Sequence, residues 1–246
     1  MSPWGSLRER DLYSVEDMDR PGCDQRRLTR TYARFPVVNR LLSGWRRTYQ
    51  RRIRPLLAET GHASLLDIGS GSGDVARGLA RWARRDGFVL EVTAIDPDER
   101  AFEFASHVGN KRVANKADVT YRRAHSSELV AEGVAFDVVI SNHILHHLDA
   151  QQFAGVLRDS ELLTRHVALH NDLARSNVAY VLFMAGFWPL GFGSYIVKDG
   201  LLSIRRSYTL AELKSAISSA WTAERNGPWH NMLVHEPQRS ESREGA

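Results

Sequence analysis

Leu65-Leu66-Asp67-Ile68-Gly69-Ser70-Gly71-Ser72-Gly73-Asp74 is the stretch on which the fold turns. An apolar run of strand length leads straight into three glycines at alternate positions. From Asp74 to Arg85, Val75, Leu79 and Trp82 then fall on one helical face. Strand, glycine turn and helix in that order form the repeating unit of a parallel α/β sheet. Without side chains, Gly69, Gly71 and Gly73 let the backbone take positive φ and approach a ligand closely. The pattern is GxGxG rather than the GxGxxG of dinucleotide binders, and Asp67 stands two residues before the first glycine. A diphosphate docks on the free N–H groups of a helix N-terminus, where an acid would repel it. Asp67 therefore favours a ligand that carries positive charge.

Short apolar runs and amphipathic helices alternate outward from this unit. Strands are expected at Ser64–Ile68, Leu90–Ile95, Val119–Arg123, Phe136–Ser141 and His166–His170, with a final pair at Thr222–Arg225 and Met232–His235. Asp74 is expected to cap the first helix of the sheet domain, and Thr209 with Glu212 reads as a capping box. Residues 1–23, polar and without a sustained period, are expected to be a flexible or loosely docked arm. Residues 24–60 are expected to form a helical cap in which Leu42, Trp45, Tyr49, Ile53 and Leu56 share a face. The sheet domain is then expected over 61–238, with a helical insert at about 174–206, and residues 239–246 are expected to form a disordered tail.

At 246 residues, 43% hydrophobic and 25% charged, the chain has room for one large α/β domain. Cys23 is the only cysteine, which excludes an intrachain disulfide, a CxxC redox pair and a cysteine-built zinc site. The charged N-terminus lacks the apolar stretch of a secretory signal, so a cytoplasmic setting is expected. The longest apolar run, Val178 to Phe192, is 15 residues and contains Gly186, Pro189 and Gly191. A membrane span needs about 20. The net charge of +4 comes from arginine, densest at Arg26, Arg27, Arg30, Arg34, Arg40, Arg46, Arg47, Arg51, Arg52 and Arg54. These read as a solvated helix surface, with an anionic ligand or a membrane surface as the alternative.

The second strand ends in Asp96-Pro97, 27 residues after Gly69. A carboxylate at that tip can accept both hydroxyls of a ribose, or it can cap the next helix. Residues 64–74, 92–97 and 135–148 resemble motifs I, II and IV of class I S-adenosylmethionine (SAM)-dependent methyltransferases, and the resemblance runs from about Ser64 to Val234. It implies a Rossmann-like, seven-stranded doubly wound α/β sheet whose last strand is antiparallel, here with an N-terminal helical extension. It also implies that Asp67, Gly69, Ser70, Gly71 and Gly73 frame the methionine end of SAM, and that Asp96 with Pro97 holds the ribose. Family members often carry an acid at the third strand's end for adenine, where this chain has Arg123-Ala124-His125-Ser126-Ser127. His125, Ser126 or backbone is left to take that part.

The fourth strand exits through Ser141-Asn142-His143-Ile144-Leu145-His146-His147-Leu148. Ligands lie beyond the strand C-termini of such sheets, so Ser141, Asn142 and His143 should face the methyl group. His143 is either a general base, neutral at physiological pH, or a polar lining residue. His146 and His147 are expected beneath the loop in structural roles. Asp172, at the fifth strand's tip, either orients a hydroxyl or a base, or caps the helix starting near Ala174. No metal is expected: the HxxxH pair His143 and His147 lacks the glutamate of a zinc-protease helix, and Asn142, Asn171 and Asp172 offer only one charge to a hard cation.

The aromatic stretch Tyr180 to Phe192 suits a pocket wall, a homodimer interface or peripheral contact with lipid. The segments 30–47 and 200–209 resemble a bacterial branch related to ubiquinone, menaquinone and type III polyketide-associated methyltransferases. That resemblance implies a small phenolic, quinonoid or polyketide acceptor. RNA or another nucleic acid is the rival acceptor, but the D/N-P-P-Y/F/W motif of base amino-methylating enzymes is replaced by Ser141-Asn142-His143-Ile144, so no nucleic-acid partner is expected. A catalytically silent SAM-binding scaffold is the other alternative.

Overall fold

The computed structural model describes residues 7–112 and 119–238. Seven strands, β1 (His62–Ile68), β2 (Val89–Ile95), β3 (Val119–Arg122), β4 (Phe136–Asn142), β5 (Thr164–Leu173), β6 (Thr222–Arg225) and β7 (His230–His235), form one sheet in the order β3-β2-β1-β4-β5-β7-β6. The first five are parallel, and β7 runs antiparallel between β5 and β6. β1 is buried at five of its seven residues because helices cover both sheet faces. Leu65 packs with Val75, Leu79 and Val138 on one face, while Leu66 and Ile68 pack with Leu129, Phe153 and Leu157 on the other.

Ten α-helices are described: α1 (Gln25–Leu42), α2 (Trp45–Thr48), α3 (Arg54–Thr60), α4 (Asp74–Arg85), α5 (Glu99–Arg112), α6 (Ser126–Ala131), α7 (Ala150–Leu163), α8 (Asn177–Phe187), α9 (Ile196–Arg206) and α10 (Leu210–Ala216). A π-helical turn, Tyr49–Ile53, joins α2 to α3. Trp45, Tyr49, Ile53 and Leu57, all buried, recur every four residues, which would drift around a regular α-helix. A wider turn keeps them facing the sheet. α1, α8 and α9 enclose a small separate core of Val38, Phe183, Phe187, Ile196 and Ile204. Among the described residues no helix is long and apolar enough to cross a membrane.

Several expectations need correction. β5 extends to Leu173 because antiparallel pairing with β7 continues to Leu173↔His230, so Asn171 and Asp172 lie within the strand. Asp172 caps nothing: α8 starts at Asn177, and Ser176 caps it. Gly73, left-handed at φ 68°, occupies the cap position of α4, while the Asp74 carboxylate accepts from Ser72 Oγ and Asn39 Nδ2. The Thr209–Glu212 capping box is present.

The arm takes the docked form. Residues 7–23 dock along α9 and the β5 exit. Arg175 donates to the carbonyls of Leu7 and Arg8, Arg205 pairs with Asp11 at 2.9 Å, and Asp199 accepts from the backbone N–H groups of Asp17 and Met18. Polarity left the choice open because these anchors are themselves polar. Residues 1–6 of the expected arm and the expected tail, 239–246, lie outside the described residues. The arginine face is also partly internal: Arg27 and Arg34 donate to carbonyls of residues 190–194, Arg52 pairs with Glu224 and Glu236, and Arg54 pairs with Asp86.

Candidate active site

A cavity of about 460 Å³ opens beyond the C-terminal ends of β1, β2 and β4, where the strand order reverses. Its floor is the loop after β1. Gly69, Gly71 and Gly73 all have positive φ, at 67°, 54° and 68°. A Cβ on Gly69 would stand 2.6 Å from Ile144 Cγ2, so the loop lies tight against the β4 exit. A Cβ on Gly71 would meet nothing within 4 Å, so that side of its backbone faces open space. Asp67 is 1% exposed, and neither of its carboxylate oxygens has a hydrogen-bond partner. Burial, with Asp74 and Asp96 nearby, pushes its pKa well above the usual range. Burial raises Asp74 and Asp96 as well. Three buried acids around a glycine cradle are a poor host for a phosphate and a ready one for an ammonium group.

Asp96 accepts from Gly71 N at 2.8 Å through one oxygen and from Asp98 N at 2.9 Å through the other, so it pins the glycine loop to the β2 tip. Each oxygen keeps a free lone pair toward the cavity. Pro97, His125 and Ser126 line the same end. His125 stands at the N-cap of α6, its N–H held by Glu128, and the Ser126 hydroxyl donates to Asp159 at 2.6 Å. The Asn142 carboxamide also lines the cavity. Its Oδ1 accepts from Trp45 Nε1 at 2.8 Å and Asn171 Nδ2 at 3.0 Å, which ties the N-terminal helices to the sheet.

At the other end the walls are apolar, from Phe35, Val38 and Leu42 of α1, Phe183 of α8 and Ile196 of α9. His143 is the one non-glycine residue with positive φ, 60°, among the described residues. Its Nε2 meets His230 Nε2 at 2.7 Å, and burial lowers its pKa to about 4, so the ring is neutral with one nitrogen already engaged. Asp172 does not line the cavity. It sits behind His146, with Oδ1 2.7 Å from Nδ1 and Oδ2 accepting the His146 N–H at 2.8 Å. His146, expected beneath the loop, is on the cavity wall beside His147 and Glu16. Burial works against its charged form, but Asp172 and Glu16 outweigh that and raise its pKa.

The structure thus brings together Asp67, Gly69, Ser70, Gly71, Asp96, Pro97, His125, Ser126, Asn142 and His143 on one cavity, with Gly73 off its lining and Asp172 behind it. Sequence reasoning missed Glu16, Asn39, Asp74 and Ser203 as wall residues. Only Asp74 had a local signal, because it follows the third glycine directly. The HxxxH spacing forms no pair, since His143 turns to His230 and His147 Nδ1 to Asp19 at 3.1 Å.

Residues 65–165 match the family model described as Methyltransferase domain. Demethylmenaquinone methyltransferase of Thermotoga maritima is 34% identical over 73 residues, which are 29% of this chain and 30% of that protein's length. Among solved structures, the magnesium protoporphyrin IX methyltransferase of Synechocystis PCC 6803 with bound S-adenosylhomocysteine superposes with a TM-score of 0.51 at 17% identity, covering 78% of this chain and 83% of that one. A plantazolicin methyltransferase complexed with a substrate analogue and S-adenosylhomocysteine gives 0.51 at 13% identity, covering 84% and 85%. With its glycine loop and seven-stranded order, the chain carries a methyltransferase domain match over residues 65–165 and is similar in fold to SAM-dependent methyltransferases.

Proposed function

We propose that the chain transfers the methyl group of SAM to a small lipophilic acceptor of aromatic, phenolic, quinonoid or polyketide-derived type. The observation that carries this reading is the continuity of one cavity from the unpartnered carboxylate of Asp67 to the apolar wall of Phe35, Val38, Leu42, Phe183 and Ile196. When bound, SAM supplies an electrophilic methyl group on a sulfonium. Asp67 takes the ammonium of the methionine end, framed by the glycine loop, and Asp96 with Pro97 takes the ribose. His125 and the backbone of Ser126 border the adenine. Asn142 and His143, fixed by Trp45, Asn171 and His230, shape the passage between cofactor and acceptor. Transfer needs attacking atom, methyl and sulfur in line, which rigid walls favour. His146, oriented by Asp172, presents the polar edge nearest the acceptor, so Asp172 acts through His146. The demethylmenaquinone relative supports a ring-bearing acceptor.

Calorimetric titration of SAM in buffers of different ionisation enthalpy tests the cofactor half. Binding of the ammonium lowers the raised pKa of Asp67, so protons should pass to the buffer, and Asp67→Asn should abolish that release. SAM turnover with a panel of phenols, quinones and polyketides, with RNA as a parallel acceptor, tests the rest. Methylation of RNA and of no small molecule would overturn the acceptor assignment.

A further inference from the structure

Glu16, His146 and His147 converge on the acceptor side of the cavity in a way that methyl transfer alone does not require. Glu16 precedes the 3-10 turn Asp17–Asp19, and the histidines belong to the 3-10 turn Leu145–His147. His146 Nε2 lies 3.5 Å and His147 Nε2 3.9 Å from the same oxygen, Glu16 Oε1, and the three donor atoms all fall within 4.8 Å of one another. Both separations are long for a hydrogen bond. His146 Nε2 has no hydrogen-bond partner although the side chain is 1% exposed. Two ligands at about 2.0–2.1 Å from a tetrahedral ion stand about 3.4 Å apart, close to these spacings.

The surroundings fit the same reading. Behind each ring the other nitrogen faces a carboxylate: His146 Nδ1 is 2.7 Å from Asp172, and His147 Nδ1 is 3.1 Å from Asp19. A carboxylate at Nδ1 holds one proton there, so that an ion displacing the proton on Nε2 meets its lone pair, the arrangement found behind metal-bound imidazoles. Glu16 is itself held, accepting from Ser203 Oγ at 2.7 Å. The nearby guanidinium groups of Arg10 and Arg206 are directed to the carbonyls of His146 and His147. Glu16, His146 and His147 all line the cavity.

We propose that Glu16, His146 and His147 bind a divalent first-row transition-metal ion, leaving a coordination position open to the cavity for an oxygen of the acceptor. Two imidazoles and one carboxylate suit Zn²⁺, Fe²⁺ or Co²⁺ better than Mg²⁺ or Ca²⁺, which prefer all-oxygen sets. The acceptor class is thereby narrowed to molecules with a hydroxyl, or a hydroxyl beside a carbonyl, on the ring. That narrowing rests on the methyl-transfer reading, whereas the ion site does not.

Co²⁺ is the probe. The full chain, stripped with chelator, is titrated with Co²⁺ while the visible absorption of the ion is followed, and Zn²⁺ is then added to displace it. One equivalent should bind saturably, and Glu16→Gln and His147→Ala should each weaken it at least about tenfold, with the exposed His166→Ala unchanged. SAM affinity should stay within about twofold in Glu16→Gln, because that side chain lies at the acceptor end. Glu16→Gln preserves shape and decides the matter if His147→Ala fails to fold. No saturable Co²⁺ binding up to about 100 µM, or equal affinity in Glu16→Gln and wild type, overturns the site. Saturable Co²⁺ binding by a chain that fails to bind SAM at all would instead sink the methyl-transfer reading and leave the ion site standing.

Discussion

At the glycine-loop end of the cavity, the proposed cofactor end, the floor is the sheet itself, whereas at the apolar end, the proposed acceptor end, the walls are brought in from elsewhere. Gly69 to Gly73, Asp96 and Asn142 sit on or just after the tips of adjacent parallel strands, so the backbone ladder that builds β2, β1 and β4 also sets their spacing. The acceptor end is assembled from α1, α8, α9, the β4 exit and the segment before α1, which touch mainly through side chains. Its polar members are locked pairwise: Asp172 with His146, Ser203 with Glu16, Asp199 with the N–H groups of Asp17 and Met18. The first region is fixed by topology and the second by a handful of buried polar contacts. Single substitutions should therefore break the second more readily, while the first fails chiefly when backbone space is filled.

The largest effect is expected at Asp172→Ala, which leaves the His146 imidazole facing an empty buried site. Breaking a buried pair this way costs about 3–5 kcal/mol, readable by urea denaturation. A loss under about 1 kcal/mol would show that the pair does not hold the acceptor wall. Gly71→Val comes next. A Cβ on Gly71 would enter open space, so the fold should lose only the roughly 1–2 kcal/mol of a left-handed residue. The stabilisation of about 2.7 kcal/mol that SAM gives at a hundredfold excess over its dissociation constant should vanish. Persistence of the thermal shift would move the cofactor off this loop.

Asp96→Ala should weaken SAM by roughly 1.5–3 kcal/mol, the worth of a hydrogen bond to a charged group, measured by calorimetry. Unchanged affinity would reduce Asp96 to a tie for the glycine loop.

Asp67→Asn sharpens the comparison through pH. Its folded pKa is raised above the unfolded value, so its contribution to stability is full below the unfolded pKa and is lost as pH rises through the folded one. Removing the carboxyl should flatten that loss, raise the melting temperature of the SAM-free protein at pH 7 and weaken SAM. A fall in melting temperature would mean that Asp67 is satisfied in the fold. The smallest effect is expected at Ser203→Ala, about 0.5–1.5 kcal/mol, with a higher KM for the acceptor and unchanged SAM affinity.

The sequence by itself determined the glycine cradle, Asp67, Asp96 and the order of strands and helices, because each depends on residues within a few positions of one another. Periodicity of two or four and glycine at alternate places record local backbone demands, and these survive in any tertiary setting. Tertiary structure alone decided the acceptor end. Glu16 lies in a polar, aperiodic stretch, and Ser203, which orients it, is 187 residues away. Asp172 and His146 stand 26 residues apart on different tips, and nothing local to either says that the carboxylate backs the ring rather than facing the cavity. His143 looked like the exposed histidine of the β4 exit until His230, from the antiparallel β7, proved to occupy its Nε2. Such contacts are set by which strand tips become neighbours and by where the first helix folds back, and both follow from packing the apolar faces of the whole chain at once.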